Sequence, residues 1–259
     1  MFDIVGLIGL FIAGVAAGAV NSVAGGGTLI SFPSLVAFGQ SETVSNATNT
    51  AALWPGSFSS AVGYRKDTPL QVGLVATLII PSFVGGILGA VIFVITPPSV
   101  FKIVVPFLVL FATLLFGFRK IITSKITHGK NESREYVSTK ARVWGFCFQL
   151  FVATYGGYFG AGIGILMLGS LSIMGLHDIH KMNAIKTTLT ALINMTAFVF
   201  FALRGLVAWE LAVVVGVGAI FGGYAGARSA KRIDPSLLQL LVVAIGLIVS
   251  AWLFVKLIR

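Results

Sequence analysis

Apolar runs of roughly 20 residues recur along almost the whole of this sequence, and nothing constrains its fold more. They read as about Ile4–Val20, Val44–Tyr64, Leu70–Ile95, Val100–Phe118, Val143–Tyr155, Ala184–Leu203, Val207–Ala227 and Leu237–Leu257. Shorter runs lie at Thr28–Phe38 and from residue 164 to Met174. Each long run can cross a hydrocarbon core of about 30 Å, and a water-soluble helical fold has nowhere to hide so many. Only 10% of the residues are charged, against about 25% in a soluble domain. The mean hydropathy is +0.99. The expectation is an all-α, polytopic membrane protein held in contact with membrane lipids.

The formal net charge of +10 raises the question of nucleic acid, and the position of the charges answers it. Arg119, Lys120, Lys125, Lys130, Arg134, Lys140 and Arg142 share one polar segment, and most other cations stand at the ends of apolar runs. Loops retained in the cytoplasm show this distribution. No folded basic module is present to bind nucleic acid. The single cysteine, Cys147, excludes an intramolecular disulfide and a Cys-based zinc site, and is expected as a small buried residue. The start, Met1-Phe2-Asp3, lacks the basic n-region of a cleaved signal, so the first run is expected to be retained.

The two halves repeat each other. At a shift of 137 residues, Gly85-Gly86-Ile87-Leu88-Gly89-Ala90 falls on Gly222-Gly223-Tyr224-Ala225-Gly226-Ala227, Pro98-Ser99 on Pro235-Ser236, and Asn46-Ala47 on Asn183-Ala184. At a shift of 135, Gly25 and Gly27 fall on Gly160 and Gly162. The organisation expected is a first membrane repeat over 1–118, a cytoplasmic basic loop over 119–142 and a second membrane repeat over 143–259. Charge gives the relative orientation. The central loop and Arg65-Lys66 lie inside, whereas Arg228, Lys231 and Arg232 put the counterpart of the outer Pro97-Pro98 turn inside as well. The repeats are therefore expected to be inverted, each with a Gly-broken helical hairpin plus three transmembrane helices. Both termini then fall outside, with Lys256 and Arg259 as contrary charges.

The broken segments carry the chemical interest. Asn21-Ser22-Val23-Ala24-Gly25-Gly26-Gly27 interrupts the first run, and Thr28 is placed to cap the short helix after it. The counterpart is Gly156-Gly157-Tyr158-Phe159-Gly160-Ala161-Gly162-Ile163-Gly164. Non-helical backbone at membrane depth is tolerated only when buried in protein or lining a wet cavity. Each helix N-terminus there offers a positive dipole end to an anion. Gly85, Gly86, Gly89 and their counterparts Gly222, Gly223 and Gly226 read instead as helix-packing residues. Polar residues enter the next run of each half: Asn46, Thr48, Asn49 and Thr50 in the first, Asn183, Lys186, Thr187 and Thr188 in the second, with Asn194 and Thr196 deeper. Lys186, one turn into an apolar helix, either snorkels toward the loop carrying His177, His180 and Lys181 or meets an anion. Arg204 reads as an interface anchor.

None of the eight acidic residues falls in the middle of an apolar run, so no proton relay of buried carboxylates has a candidate. No phosphate-cradling loop or other cofactor motif is present. All three histidines lie in polar segments, leaving Ser57 without a membrane-embedded base. His177, Asp178 and His180 lack an evident third partner for a metal site. These absences argue against an enzyme.

From Asn21 to Pro33 and again at Ala47-Thr48-Asn49, the first half resembles the signature of the sulfite exporter TauE/SafE family, also called the toluene sulfonate uptake permease family. In the second half Gly160-Ala161-Gly162 and Met182-Asn183-Ala184-Ile185-Lys186 resemble its repeated motif. The resemblance runs from about residue 4 to 256. Asn49 against Lys186, and a second break less pure in glycine, are its departures. It implies an inner-membrane permease for a small sulfur-containing anion such as sulfite or an organosulfonate. The expected substrate-lining residues are Asn21, Ser22, Gly25, Gly26, Gly27, Thr28, Asn46, Asn49, Thr50, Gly160, Ala161, Gly162, Gly164, Asn183, Lys186 and Thr187. An anion channel and a non-transporting scaffold or receptor are the alternatives, and a homodimer is compatible with the Gly-stepped outer faces.

Overall fold

The computed structural model describes residues 4–65, 72–118, 139–174, 176, 178–230 and 235–258. Among them regular structure is helical: α1 (Ile4–Val23), α2 (Thr28–Ala37), α3 (Glu42–Arg65), α4 (Val72–Ile95), α5 (Pro98–Gly117), α6 (Thr139–Tyr158), α7 (Ile163–Ile173), α8 (Ile179–Leu203), α9 (Trp209–Ser229) and α10 (Pro235–Ile258). Long, short, long, long, long is thus the order in each half. The helix α6 begins inside the polar central stretch, most of which lies outside the described residues, as do Lys66, His177, Lys231 and Arg232.

Six of these helices are long and apolar enough to cross a membrane: α1, α4, α5, α8, α9 and α10. Their outward faces are apolar, as Ile4, Val5, Ile8 and Ile12 on α1 show. The inward face of α1 carries Gly14, Ala17 and Gly18 instead. In lipid, small inward residues let helix backbones approach closely. Side chains at Gly14 and Gly18 would strike Val215 and Ala219 of α9, and one at Gly222 would strike Val15 of α1. The counterpart interface follows the same rule, with Gly85 against Leu150 and Ala153, and Gly89 against Thr154 and Tyr158. The packing role expected for the glycines of α4 and α9 is what the structure shows. The chain is a multi-pass membrane protein.

The register of these contacts gives helix direction. Ascending numbers on α1 meet ascending numbers on α9 (Gly14 on Val215, Gly226 on Ala19), and α3 follows α9 likewise (Ala52 by Gly216, Gly63 on Ala227). The pair α4 and α6 is also parallel. Tyr158 at the end of α6 receives Asn46 from the start of α3, so α4 and α6 run against α3. Lys186 near the start of α8 reaches Ser22 near the end of α1, and α8 runs against both α1 and α3. Counterpart helices of the two halves therefore point in opposite directions. Packing partners exchange with them: α1 and α3 lie along α9, while α6 and α8 lie along α4, and α3 crosses α8 as α5 crosses α10.

Helix α3 is the exception in composition. It buries Ser45, Asn46, Thr48, Asn49, Thr50, Ser57 and Ser60, and it contacts helices of both halves. At the end of the bundle where α3 starts, Glu42 pairs with Lys256 of α10 at 2.8 Å. The opposite end, where α3 and α9 finish, carries Arg65 and Arg228. Cys147, expected to be buried, is exposed on α6. An apolar run seen from inside a membrane has two equally apolar faces, and composition does not say which one meets lipid.

Candidate functional site

Both breaks are hairpins. Gly6 near the start of α1 lies against Phe38 just after α2, while Gly27 lies against Ala17 and Asn21, so α2 returns along α1. In the second half Gly145 meets Met174 and Gly156 meets Ile163, and α7 returns along α6. The breaks are shorter than the sequence suggests. Asn21 and Ser22 remain in the last turn of α1, and Gly156, Gly157 and Tyr158 remain in α6. The turns proper are 24–27 and 159–162. Gly25 at φ +79° closes the end of α1, its N–H donating to Val20 O and Asn21 O. Gly160 does the same for α6 at φ +79°, donating to Tyr155 O. Thr28 does not cap α2. The preceding Gly27 already has helical dihedrals (φ −56°, ψ −35°), which leaves no cap geometry for a side chain, and Thr28 is the first helical residue.

The hairpins enter from opposite ends of the bundle, and their turns meet. A Cβ on Gly25 would lie 2.5 Å from Gly164 Cα, and one on Gly164 would lie 2.5 Å from Gly25 Cα and 3.1 Å from Lys186 Cδ. Beside this junction Lys186 is 1% exposed, so it does not snorkel. Its Nζ donates to Asn183 Oδ1 at 2.8 Å and to Ser22 O, a carbonyl in the last turn of α1, at 3.0 Å. An ammonium retained at this depth needs close polar partners. Ser22 also has a buried hydroxyl with no protein partner.

A second polar group lies at the start of α2. Asn49 accepts from Ser31 Oγ and donates to Thr28 Oγ1 at 3.3 Å. One turn earlier Asn46 donates to Tyr158 O, in the last turn of α6, at 2.9 Å, and its Oδ1 is buried without a partner. Asn21 donates to Ser57 Oγ at 3.1 Å, which ties α1 to α3. Asn46 and Lys186 thus do the same thing from opposite halves. Each takes a carbonyl left over where a broken helix ends.

The other expected residues serve the backbone. Thr50 and Thr187 bond their own helices at Asn46 O and Asn183 O, both at 3.0 Å. Gly26 lies against Phe116, and Gly162, at φ +75°, against Ala112, so both turns rest on α5. Ala161 O accepts from Tyr155 at 2.7 Å. Ser31, Ser57, Tyr155 and Tyr158 were not singled out as site residues. Ser31 lies one turn after Thr28 within the stretch from Asn21 to Pro33, Tyr155 bonds Ala161 close by in sequence, and Ser57 and Tyr158 declare themselves through partners remote in sequence. Toward the end of the bundle where α3 starts, Phe93 and Phe101 pack edge to face with each other and with Tyr158, whose carbonyl Asn46 engages, and Phe159 tilts against Phe101. Among the described residues no group of His, Cys, Asp and Glu is placed to hold a metal.

The chain resembles known proteins over most of its length. The family model described as "Sulfite exporter TauE/SafE" matches residues 10–253. A "Probable membrane transporter protein" of Haemophilus influenzae is 26% identical over 93% of this chain and 92% of its own. "Probable membrane transporter protein ORF9" of a Sinorhizobium species is 28% identical over 92% of this chain and 88% of its own. "Probable membrane transporter protein YfcA" of Escherichia coli K12 is 28% identical over 93% and 87%. No solved structure matches. The family match takes in both hairpins and every long helix, and the chain belongs to the sulfite exporter TauE/SafE family.

Proposed function

We propose that the protein is a secondary transporter that carries a small sulfur-containing anion, such as sulfite or an organosulfonate, across the cytoplasmic membrane by alternating access. The observation that carries this reading is the junction of Gly25 and Gly164 beside the buried Lys186. Two short helices begin there, and each brings a positive dipole end toward the bundle interior. With Lys186 added, the middle of the bundle is a positive centre reached by hairpins from both ends. A small oxyanion suits it in charge, and family membership favours a sulfur anion.

Counterpart helices that point in opposite directions support an inverted repeat across the membrane, the construction of many secondary transporters. The basic end, with Arg65 and Arg228, is then cytoplasmic. The aromatic cluster of Phe93, Phe101, Tyr158 and Phe159 closes the other side in the conformation described. Access alternates as the hairpins shift against α3 and α8, the helices that carry Asn46 and Lys186. Lys186 exchanges Ser22 O for substrate oxygen as the anion arrives.

The test is thermal unfolding of detergent-purified protein with sulfite, sulfate, thiosulfate, taurine, sulfoacetate and a carboxylate control, followed by flux into vesicles. A ligand at about 100 times its dissociation constant stabilises the folded state by roughly 2.7 kcal/mol. Stabilisation by one sulfur anion, together with saturable flux of it, is expected. Equal stabilisation by all anions or by none removes the sulfur-anion reading, and conductance far above carrier turnover replaces the transporter with a channel.

A further inference from the structure

Buried hydroxyls of the bundle are commonly answered from their own helix. Thr50, Ser57, Ser60, Thr113 and Thr187 each donate to the carbonyl four residues earlier. Asn46 is different. It is 0% exposed, and while its Nδ2 donates to Tyr158 O at 2.9 Å, its Oδ1 has no partner. Turning the amide over would only set two carbonyl oxygens against each other, so the orphaned atom is an acceptor. The Oγ of Ser45, the residue before it on α3, is also buried and unanswered. Such an oxygen inside a membrane protein is costly and asks for an explanation.

The second half shows what answers it. At the shift of 137, Asn46 and Asn49 fall on Asn183 and Lys186. Asn183 Oδ1 accepts from the Lys186 ammonium at 2.8 Å, and the same Nζ donates to Ser22 O at 3.0 Å. A cation thus bridges the amide oxygen of a polar helix to a carbonyl where the other half's broken helix ends. In the first half the matching oxygens are Asn46 Oδ1 and the last turn of α6, where Tyr158 O already holds the Asn46 amide. The residue in the lysine's place is Asn49, and its amide turns to Ser31 and Thr28 of α2 instead. The first half keeps the amide oxygen and has no ammonium of its own to meet it.

We propose that Asn46 Oδ1 and carbonyl oxygens from the last turn of α6 bind one alkali-metal cation, the untethered counterpart of the Lys186 ammonium. Neutral oxygens suit a monovalent ion, whereas a divalent one asks for several carboxylates. The C-terminal ends of broken helices hold sodium in transporters built as inverted repeats, and the negative dipole end of α6 adds to the attraction. Among the described residues the one buried carboxylate, Glu42, stands one turn from Asn46 on the same face of α3. A water would serve one lone pair and leaves the parallel with the ammonium unexplained. As a coupling ion this cation would drive the substrate, a role that rests on the proposed function; the binding does not.

The test is thermal unfolding of detergent-purified protein titrated with sodium chloride, with choline chloride holding total chloride constant and no sulfur anion present. Retention of radiolabelled sodium is the second readout. Sodium is expected to raise the unfolding temperature saturably and to stay on the protein. Asn46→Leu is expected to weaken that binding by about tenfold or more, since an acceptor to a charged group is lost. Asn49→Lys supplies an ammonium where the second half has one, and is expected to abolish the sodium response. Asn49→Ala loses the same bonds to Ser31 and Thr28 without supplying a cation, and is expected to keep it. The Asn49 pair decides the matter if Asn46→Leu does not fold. No response beyond choline, as for a site that holds only water, overturns the proposal, and so does an undiminished response in Asn46→Leu or Asn49→Lys. Chloride is the only anion present, so such a failure is distinct from failure of the sulfur-anion reading.

Discussion

The two hairpins share a backbone plan and differ in their polar residues. Each ends its first helix with a glycine at φ +79°, returns along that helix, and gives a leftover carbonyl to a side chain from the other half. In the first hairpin the opening turn of the short helix is polar: Thr28 and Ser31 are engaged by Asn49. At the shift of 135 the second hairpin has Ile163 and Leu166 at those places, and at the shift of 137 the counterpart of Asn49 is Lys186. With no polar side chain in the opening turn of its own short helix, Lys186 crosses to α1. Counterpart helices of the two halves point in opposite directions, and an ammonium in place of an amide makes their meeting point asymmetric. On the proposed function, the difference favours a single anion seated beside Lys186 over two equivalent ones.

That comparison is open to attack at both hairpins. The largest effect is expected from Lys186→Ala, which removes the one cation at the centre. Anion-dependent stabilisation, about 2.7 kcal/mol at a saturating ligand, should disappear, while Asn49→Ala should keep it. Retained stabilisation in the lysine variant would return the two halves to equivalence. Gly25→Ala comes next. Left-handed backbone and a Cβ 2.5 Å from Gly164 should together cost about 2–5 kcal/mol in thermal or denaturant unfolding. Gly160→Ala shares the dihedral but meets only Gly156 O at 3.2 Å, so about 1–2 kcal/mol is expected. Equal losses would show that the junction is not tightly packed. Asn49→Ala leaves Ser31 and Thr28 without their partner and should cost about 1–3 kcal/mol, with flux of the anion reduced rather than abolished. Smallest of all, Thr50→Val and Thr187→Val should each stay within about 1 kcal/mol and leave flux unchanged, since both hydroxyls serve their own helices. Loss of flux in only one of them would mark that hydroxyl as part of the path.

Much of this frame was readable from the residues. Hydrocarbon thickness sets the length of an apolar run, so most spanning helices were legible to within a turn, the exception being α8, which begins at Ile179, not Ala184. The glycine clusters announced the breaks because no helix tolerates three in a row cheaply. The ends of the breaks were not legible. Asn21, Ser22 and Gly157 read as loop by propensity, yet they are helical because Ser57 holds Asn21 and the approach of Gly86 on α4 admits only a glycine at 157. Thr28 had the right chemistry for a cap and the wrong preceding dihedrals. The position of Lys186 was the hardest point. Its sequence neighbours include cationic loop residues that favour snorkelling, whereas its partner Ser22 is 164 residues away.

The polar helix α3 has a consequence for how the protein is made. It is not among the helices apolar enough to span on their own, and part of what holds its polar side chains comes from sequence not yet synthesised when it leaves the ribosome. Asn46 waits for Tyr158, Thr48 for the N–H of Ala208, Ser59 for Ile220 and Glu42 for Lys256. A chain stopped after Phe118 is therefore expected to remain open to protease along α3, and co-expression of residues 139–259 to close it. The first half is then expected to stand as a half-built frame until the second half arrives to finish it.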